Sequence, residues 1–126
     1  MSAGKTRNKI IKAADQLIYR NGYEHTSFAT IAEVVKISRG NFYYHFKTKD
    51  QILNAVIEQR KTNTRSMIRQ WEQQHREPAE RIKCYIKIIL QNWPKIKQHG
   101  CPVGTLCNEM TKLGHPYQKQ AREIFT

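Results

Sequence analysis

The sequence predicts an all-α protein, and three observations lead to this prediction. Apolar residues recur at helical spacing in several segments, whereas runs of β-branched residues with period two are few. Lys, Gln, Glu, Ile and Ala are abundant, which favours helices. The chain has only six Gly and four Pro among its 126 residues, so it is neither disordered nor fibrous. This length fits one ordinary domain, or one small module with part of another.

The first predicted helix begins near residue 5. Its inner face consists of five apolar residues at helical spacing: Ile10, Ile11, Ala14, Leu17 and Ile18. Asn21-Gly22 then supplies the left-handed residue that ends many helices. Four basic residues lie at or before the start, where the helix dipole does not favour cations: Lys5, Arg7, Lys9 and Lys12. They form either a solvated helix end or a basic arm near nucleic-acid phosphate.

Two short helices are predicted next. Thr26 or Ser27 is a suitable N-cap for the first of them. Its apolar stripe comprises Phe28, Ile31, Ala32 and Val35. A turn follows, and Ser38 caps the second short helix. Two short helices joined by a turn of three or four residues make a helix-turn-helix, and the small side chain of Ala32 allows the two helices to cross closely.

A long helix is predicted over about residues 49–74. It begins at a capping box formed by Thr48 and Gln51. A helix of this length with a polar middle section is typical of one that connects two separately packed parts of a protein. Glu77-Pro78 marks its end.

The remaining segments are also predicted to be helical. A fifth helix covers about residues 78–98, and Pro94 kinks or loosens its end. Pro102 suits the first turn of another helix. Gly114-His115-Pro116 separates a last stretch that is helical by composition.

The charge of the chain points to an anionic partner. The formal net charge is +12, which favours nucleic acid or an anionic membrane. Residues 1–50 hold nine Lys and Arg against four Asp and Glu, and residues 51–126 hold thirteen against six. Because the excess is spread along the chain, charge alone does not locate a binding face.

The segment SRGNFYYHFKTK, from Ser38 to Lys49, is too short to build a core of its own. With Ser38 as the N-cap, Phe42 and Phe46 face inward. The remaining large side chains cannot all be buried with them: Arg39, Asn41, Tyr43, Tyr44 and His45. Gly40 has no side chain at the point where a partner backbone would approach.

The exposed residue types of this segment are those that read the major groove of DNA. Arg suits guanine, Asn suits adenine, and Tyr or His binds phosphate or contacts a thymine methyl group. Lys47 and Lys49 flank the helix where phosphates would run. The alternative is a solvated, amphipathic helix in a small bundle, and the segment alone leaves both interpretations open.

Several local features occur together in the stretch from Gly22 to Leu53. They are Gly22-Tyr23, Thr26-Ser27, Ile31-Ala32, Ser38-Arg39-Gly40, Phe42-Tyr43-Tyr44-His45-Phe46 and Lys49. This pattern resembles the N-terminal DNA-binding domain of the TetR (tetracycline repressor) family of bacterial transcriptional regulators, over about residues 6–55. One departure is Lys36, which stands in the turn where many helix-turn-helix proteins have glycine.

The resemblance implies a helix-turn-helix DNA-binding domain at residues 1–47. Thr26 and Ser27 would bind phosphate, Arg39, Gly40 and Asn41 would face base edges, and Lys49 would bind a phosphate. The full set expected at duplex DNA is Thr26, Ser27, Ser38, Arg39, Gly40, Asn41, Tyr43, Tyr44, His45, Lys47 and Lys49.

The resemblance also implies a partial helical body at residues 48–126 that binds a ligand and dimerises. We expect a ligand-responsive repressor that binds a palindromic operator as a homodimer. The effector is unidentified, and the candidates to line its pocket are Tyr85, Ile89, Trp93, Leu106 and Met110. Members of this family are usually longer, so the chain is expected to be a truncated form or to dimerise differently.

The cysteines leave a second regulatory hypothesis open. Cys101 stands just before Pro102 at a predicted helix start, where a thiol is reactive, so it is a candidate redox or electrophile sensor. Cys84 and Cys107 are interpreted as small core residues. The arrangement of Cys101 and Cys107 with His99 and His115 matches no zinc pattern, so no metal is expected.

Other function classes are disfavoured. The chain has no paired carboxylates, nucleophile elbow or glycine-rich phosphate loop, so neither an enzyme nor a cofactor is expected. The segment MSAGKTRNKI lacks the apolar run of a signal peptide, and three cysteines without a secretory signal indicate a cytoplasmic protein. A basic membrane-surface protein is the remaining alternative, although the helices lack a sustained apolar face opposite a basic face, so no membrane partner is expected.

Overall fold

A computed structural model of the chain describes residues 3–125, apart from the side chains of residues 3, 103 and 125. The described residues form helices and no strand, which confirms the predicted all-α class. The predicted segments 1–47 and 48–126 include residues 1, 2 and 126, which lie outside this description. The helices are α1 (Ala3–Asn21), α2 (Phe28–Val35), α3 (Arg39–His45), α4 (Lys49–Gln74), α5 (Pro78–Gln91), α6 (Trp93–His99), α7 (Pro102–Leu113), α8 (Gln118–Arg122) and a final 3-10 helix (Glu123–Phe125).

Local signals in the sequence place the ends of the first three helices. α1 ends at Gly22, which has φ 85° and donates its N–H to the carbonyl of Ile18 at 2.9 Å. Ser27 caps α2, and its Oγ accepts the N–H of Thr30 at 3.1 Å. Ser38 caps α3, and its Oγ accepts the N–H of Asn41 at 3.2 Å. The predicted N-caps of both short helices are confirmed.

Lys36 ends α2 in a left-handed conformation with φ 63° and ψ 49°. Its N–H donates to the carbonyl of Ala32 at 2.8 Å, which closes the helix end. Among the described residues it is the one non-glycine residue with positive φ. The turn between α2 and α3 therefore has the geometry that favours glycine, and a lysine adopts it at a cost in backbone energy.

The predicted capping box at the start of α4 forms with a shifted register. Thr48 Oγ1 accepts the N–H of Gln51 at 3.1 Å, as expected. Gln51 Oε1, however, accepts the N–H of Lys47 at 2.7 Å rather than that of Thr48 itself. α4 then extends to Gln74 as predicted, but its buried residues all lie between Ile52 and Lys61.

The predicted helix over residues 78–98 is two helices, and this prediction is corrected. α5 ends at Gln91 and α6 begins at Trp93. Pro94 explains the division, because proline has no N–H to donate to a carbonyl of the preceding turn and its ring collides with that turn. Asn92, between the two helices, donates its side-chain N–H to the carbonyl of Ile88 at 2.9 Å.

One cluster of buried hydrophobic residues joins the N-terminal helices to α7, α8 and the 3-10 helix. From the first 47 residues it includes Ile10, Ile31, Phe42 and Phe46, and from later segments it includes Leu53, Val56, Leu106, Met110 and Ala121. The second half of α4 and the helices α5 and α6 contribute no buried residue. Large apolar side chains on α5 and at the start of α6 are exposed: Ile82, Tyr85, Ile86, Leu90 and Trp93.

Candidate nucleic-acid interface

α2 and α3 form one packed unit on the surface of the core. Phe28 of α2 lies 5.0 Å from Phe42 and 5.6 Å from Tyr43 of α3, measured between ring centroids. Ala32 is buried where the helices meet, as its small side chain predicted. Phe42 and Phe46 both point into the core, as expected. The inward residues hold α3 in place and leave its opposite face free.

The outer face of α3 carries the residue types that bind DNA. Arg39, Gly40 and Asn41 are exposed, and Tyr44 is 70% exposed, with its ring 5.1 Å from that of His45. Tyr43 is 44% exposed, while its ring also packs on Phe28. A Cβ added at Gly40 would meet no atom within 4 Å, so packing within the chain does not require glycine there.

The start of α2 presents hydroxyl groups beside α3. Ser27 Oγ lies 2.8 Å from Thr30 Oγ1, and both residues are exposed. The first N–H groups of a helix and nearby hydroxyls suit an anion such as phosphate. Sequence reasoning missed Thr30, although its place three residues after the N-cap on an exposed face could have indicated it.

Thr26 differs from the expectation for it. Its side chain is buried, with 2% of the residue exposed, and its Oγ1 donates to the carbonyl of Gly22 at 2.7 Å. The hydroxyl closes the loop between α1 and α2 and does not face solvent. Thr26 is therefore removed from the expected phosphate contacts, and Ser27 remains.

The two lysines after α3 lie in different surroundings. Lys47 is exposed and its Nζ donates to the carbonyl of Tyr43 at 2.6 Å. Lys49 is half-buried, with Nζ 4.1 Å from the ring centroid of Tyr23 and 3.4 Å from the carbonyl oxygen of Glu24. Burial lowers the pKa of Lys49, although nearby carboxylates act in the opposite direction. Lys49 thus packs against the α1–α2 loop, while Lys47 is the more solvent-exposed of the two cations.

The basic start of α1 lies beside the end of α3. The guanidinium of Arg7 stands 5.3 Å from the centre of the Phe46 ring. Phe46 is the C-cap of α3, so this cation extends the positive surface next to the helix.

A polar cluster that sequence reasoning did not foresee joins this unit to the C-terminal helices. The hydroxyl of Tyr23 donates to Asp50 Oδ1, and the same oxygen lies 2.8 Å from Nε2 of His115. Nδ1 of His115 accepts the N–H of Tyr117 at 3.1 Å, so Nε2 is the atom that donates to Asp50 in the neutral ring. The hydrogen bond from Tyr23 is the main cause that lowers the pKa of Asp50. Of this cluster, only Tyr23 belonged to a pattern noted in the sequence, the Gly22-Tyr23 pair.

The expected ligand-pocket residues lie in two environments. Leu106 and Met110 are buried in the core, whereas Tyr85 and Trp93 are more than half exposed and Ile89 is half-buried. Leu106 lines a small cavity of about 210 Å³ beside Tyr19 and Arg60.

The three thiols differ in their exposure to solvent. Cys101 is exposed at the N-cap of α7, and Cys84 and Cys107 are half-buried. Within residues 3–125 no group of three or more His, Cys, Asp or Glu side chains is arranged to hold a metal ion. None of the helices described is long and apolar enough to cross a membrane.

Known proteins share both the sequence pattern and the fold. A family described as bacterial regulatory proteins, tetR family, matches residues 10–56. An HTH-type transcriptional regulator in the lacX 3' region of Lactococcus lactis subsp. lactis is 30% identical over 123 residues, which are 96% of this chain and 63% of that protein. The HTH-type transcriptional regulator LmrA of Bacillus subtilis is 28% identical over 99% of this chain and 68% of its own length.

A solved structure extends the likeness to the fold. The crystal structure of a TetR-family transcriptional regulator from Agrobacterium tumefaciens superimposes with a TM-score of 0.85, at 24% identity, over 98% of this chain and 65% of that one. The chain thus spans slightly less than two thirds of the first relative and of this structure. Residues 10–56 thus match the family of bacterial regulatory proteins described as tetR family, and the likeness in fold extends over most of the chain.

Proposed function

We propose that this protein is a sequence-specific DNA-binding regulator of transcription. The observation that carries the proposal is the outer face of α3, where Arg39, Asn41 and Tyr44 project from a helix that Phe42 anchors in the core. A short helix held in this way and bearing these side chains fits the major groove. The net charge of +12 supplies attraction to the phosphate backbone.

The interface consists of residues that contact DNA bases and residues that bind the DNA backbone. Arg39, Gly40 and Asn41 face base edges, because they occupy the exposed first turn of α3. Residues around them bind phosphate or straddle bases and backbone: Ser27, Thr30, Ser38, Tyr43, Tyr44, His45 and Lys47. Lys49 contributes positive charge near the DNA backbone, and its Nζ also packs over the ring of Tyr23.

Binding as a homodimer is part of the proposal. A single α3 reads only a few base pairs, and two copies related by a twofold axis read two inverted half-sites. Residues 1–47 form the DNA-binding part, residues 48–126 belong to the regulatory part, and α4 connects the two. The protein acts most simply as a repressor that occupies a near-palindromic operator in the cytoplasm, and it works by binding rather than by catalysis.

Regulation by a small molecule completes the proposal. The ligand occupies the helical body. Its candidate lining residues form two groups: Leu106 and Met110 lie at the core, where Leu106 borders the small cavity, and Tyr85, Ile89 and Trp93 lie on α5 and α6. Its binding displaces α4 so that the spacing of two α3 helices no longer fits the operator. The excess of cations in residues 51–126 favours an anionic, neutral or electrophilic ligand over a cationic one.

Selection of bound sequences from a random duplex pool tests the proposal. We expect enrichment of two inverted half-sites whose centres are separated by about one helical turn of DNA or a multiple of it. The double variant Arg39→Ala/Asn41→Ala is the control, because it keeps the fold but lacks the base-reading side chains. A pool that stays random, or one that the double variant enriches equally well, would overturn the assignment. Flotation with anionic liposomes separates DNA binding from the membrane-surface alternative.

A further inference from the structure

Glu109 of α7 binds the loop that precedes α2. Its Oε1 accepts the N–H of Tyr23 at 2.7 Å, and its Oε2 accepts the N–H of Glu24 at 3.2 Å. The residues in the first bond are 86 positions apart in the chain. Both carboxylate oxygens are thus used on consecutive backbone groups, and hydrogen bonds to an ionised acceptor are stronger than those between neutral groups.

The loop is shaped to receive this carboxylate. Gly22 adopts φ 85°, and a Cβ added there would stand 3.1 Å from Oε2 of Glu109. A side chain at this position would therefore strain the backbone, and its Cβ would also crowd the carboxylate of Glu109. The absence of a side chain at Gly22 lets α7 approach the loop this closely.

The loop is held closed by its own hydrogen bonds, so a shift of the loop also shifts α2. Thr26 Oγ1 donates to the carbonyl of Gly22 at 2.7 Å, and the N–H of Thr26 donates to the carbonyl of Tyr23 at 3.2 Å. The next residue, Ser27, is the N-cap of α2. α2 in turn packs on α3 through Phe28 and Phe42. This path runs from α7 to α3 without passing through α4.

We propose that Glu109 is a positioning residue for the DNA interface. By holding Tyr23 and Glu24, it sets where α2 and α3 stand relative to α7, so a displacement of α7 moves the interface directly. This inference rests on the proposed DNA-binding function and names one route by which that function is regulated.

Glu109→Gln tests the inference, and Glu123→Gln is its matched control. Glutamine can accept one of the two loop N–H groups but not both with equal strength. Glu123, in the final 3-10 helix, accepts a hydrogen bond from Lys61 Nζ at 2.6 Å, an ion pair that does not involve the loop. Each substitution raises the net charge of +12 by one, so added charge alone would tighten DNA binding in both variants.

We expect Glu109→Gln to weaken binding to the selected operator by about tenfold, the order expected for one charge-assisted hydrogen bond. Glu123→Gln should bind as tightly as the wild type or more tightly. Binding is measured below the unfolding transition of every variant, as followed by circular dichroism. Equal affinities for the two variants, or tighter binding by Glu109→Gln, would overturn the inference.

Hydrogen exchange in the absence of DNA separates this inference from the proposed function. In Glu109→Gln we expect faster exchange at the amides of Tyr23 and Glu24 and through α2 and α3, with α4 unchanged relative to the wild type. If the wild type selects no DNA, the proposed function fails, while the exchange pattern still decides whether Glu109 positions α2 and α3. Exchange that rises equally in all helices would show a general loss of stability and would refute positioning.

Discussion

Arg60 of α4 and Asp15 of α1 form an ion pair inside the helical core region. Arg60 Nε donates to Asp15 Oδ1 at 2.8 Å, and Nη2 donates to the same oxygen. Arg60 Nη1 also donates to the carbonyl of Pro102 at 2.9 Å, at the start of α7. The side chain of Arg60 is 8% exposed and that of Asp15 is 33% exposed. One buried cation therefore joins α1, α4 and α7.

Asp15→Ala should lower the free energy of unfolding by about 2 kcal/mol, because it leaves the buried guanidinium without its countercharge. The partial exposure of Asp15 keeps the loss below that of a fully buried pair. Glu80→Ala is the control, since Glu80 pairs with the exposed Lys83 at 3.1 Å and its removal should cost less than about 1 kcal/mol. Urea unfolding measures both, and equal losses would contradict the structural role of Arg60.

Lys36→Gly should stabilise the protein. Glycine adopts the left-handed conformation of this residue without strain, and the expected gain is about 1 kcal/mol after the entropy cost of glycine is deducted. Lys36→Ala removes the same charge and leaves the strain, so it separates the two effects. Thermal unfolding compares the three proteins. A glycine variant no more stable than the alanine variant would show that the turn is not strained.

Tyr23→Phe should change the response of stability to acid. The hydrogen bond from Tyr23 holds the pKa of Asp50 below its ordinary value of 3.8. A carboxyl with a lowered folded-state pKa adds stability that is complete above the unfolded-state value and is lost as the pH falls through the folded-state value. The stability advantage of the wild type over Tyr23→Phe should therefore be largest near neutral pH and should shrink below about pH 4.

Tyr19→Phe is the control for this experiment. The hydroxyl of Tyr19 donates to the carbonyl of Gly100 at 2.7 Å, and this backbone acceptor does not titrate. Its loss should reduce stability by the same amount at acid and neutral pH. Unfolding by urea at several pH values measures both variants, and parallel profiles for Tyr23→Phe and Tyr19→Phe would contradict the coupling to Asp50.

Arg39→Ala and Asn41→Ala should relax sequence specificity. Each should lose about 1–3 kcal/mol on the selected operator and much less on random DNA, because base contacts are lost. Lys47→Ala should weaken both DNAs alike and reduce the slope of affinity against salt by about one counterion. Titrations at several salt concentrations measure these effects. Equal losses on both DNAs for Arg39→Ala and Asn41→Ala would refute their role in base reading.

Cys101 should be the first thiol to react with a bulky electrophile, because it is exposed whereas Cys84 and Cys107 are half-buried. Burial also raises the pKa of Cys107, which leaves less of the reactive thiolate. Mass spectrometry of partially alkylated protein measures the order of reaction. If Cys101 is a sensor, the same treatment releases DNA from the wild type and not from Cys101→Ser. A full response in Cys101→Ser would leave a non-covalent ligand as the effector.

The sequence by itself determined the local structure of the N-terminal part. N-caps at Ser27, Ser38 and Thr48 act within three residues, and Gly22 ends α1 through its own backbone conformation. The inward direction of Phe42 and the outward direction of its neighbours follow from the helical period. Such features need no knowledge of distant residues, so the helices and the exposed face of α3 could be predicted.

Only the tertiary structure decided the role of side chains whose partners are far along the chain. Lys49 looked like a phosphate ligand, yet its Nζ also packs over the ring of Tyr23. The contacts from Glu109 to the α1–α2 loop and from Arg60 to Asp15 join segments with no shared local pattern. A hydroxyl or a charge has the same local sequence whether it faces solvent or another helix. Contacts between segments that are distant in the chain, such as those of α7 with α1 and with the α1–α2 loop, determine whether such a side chain faces solvent or protein.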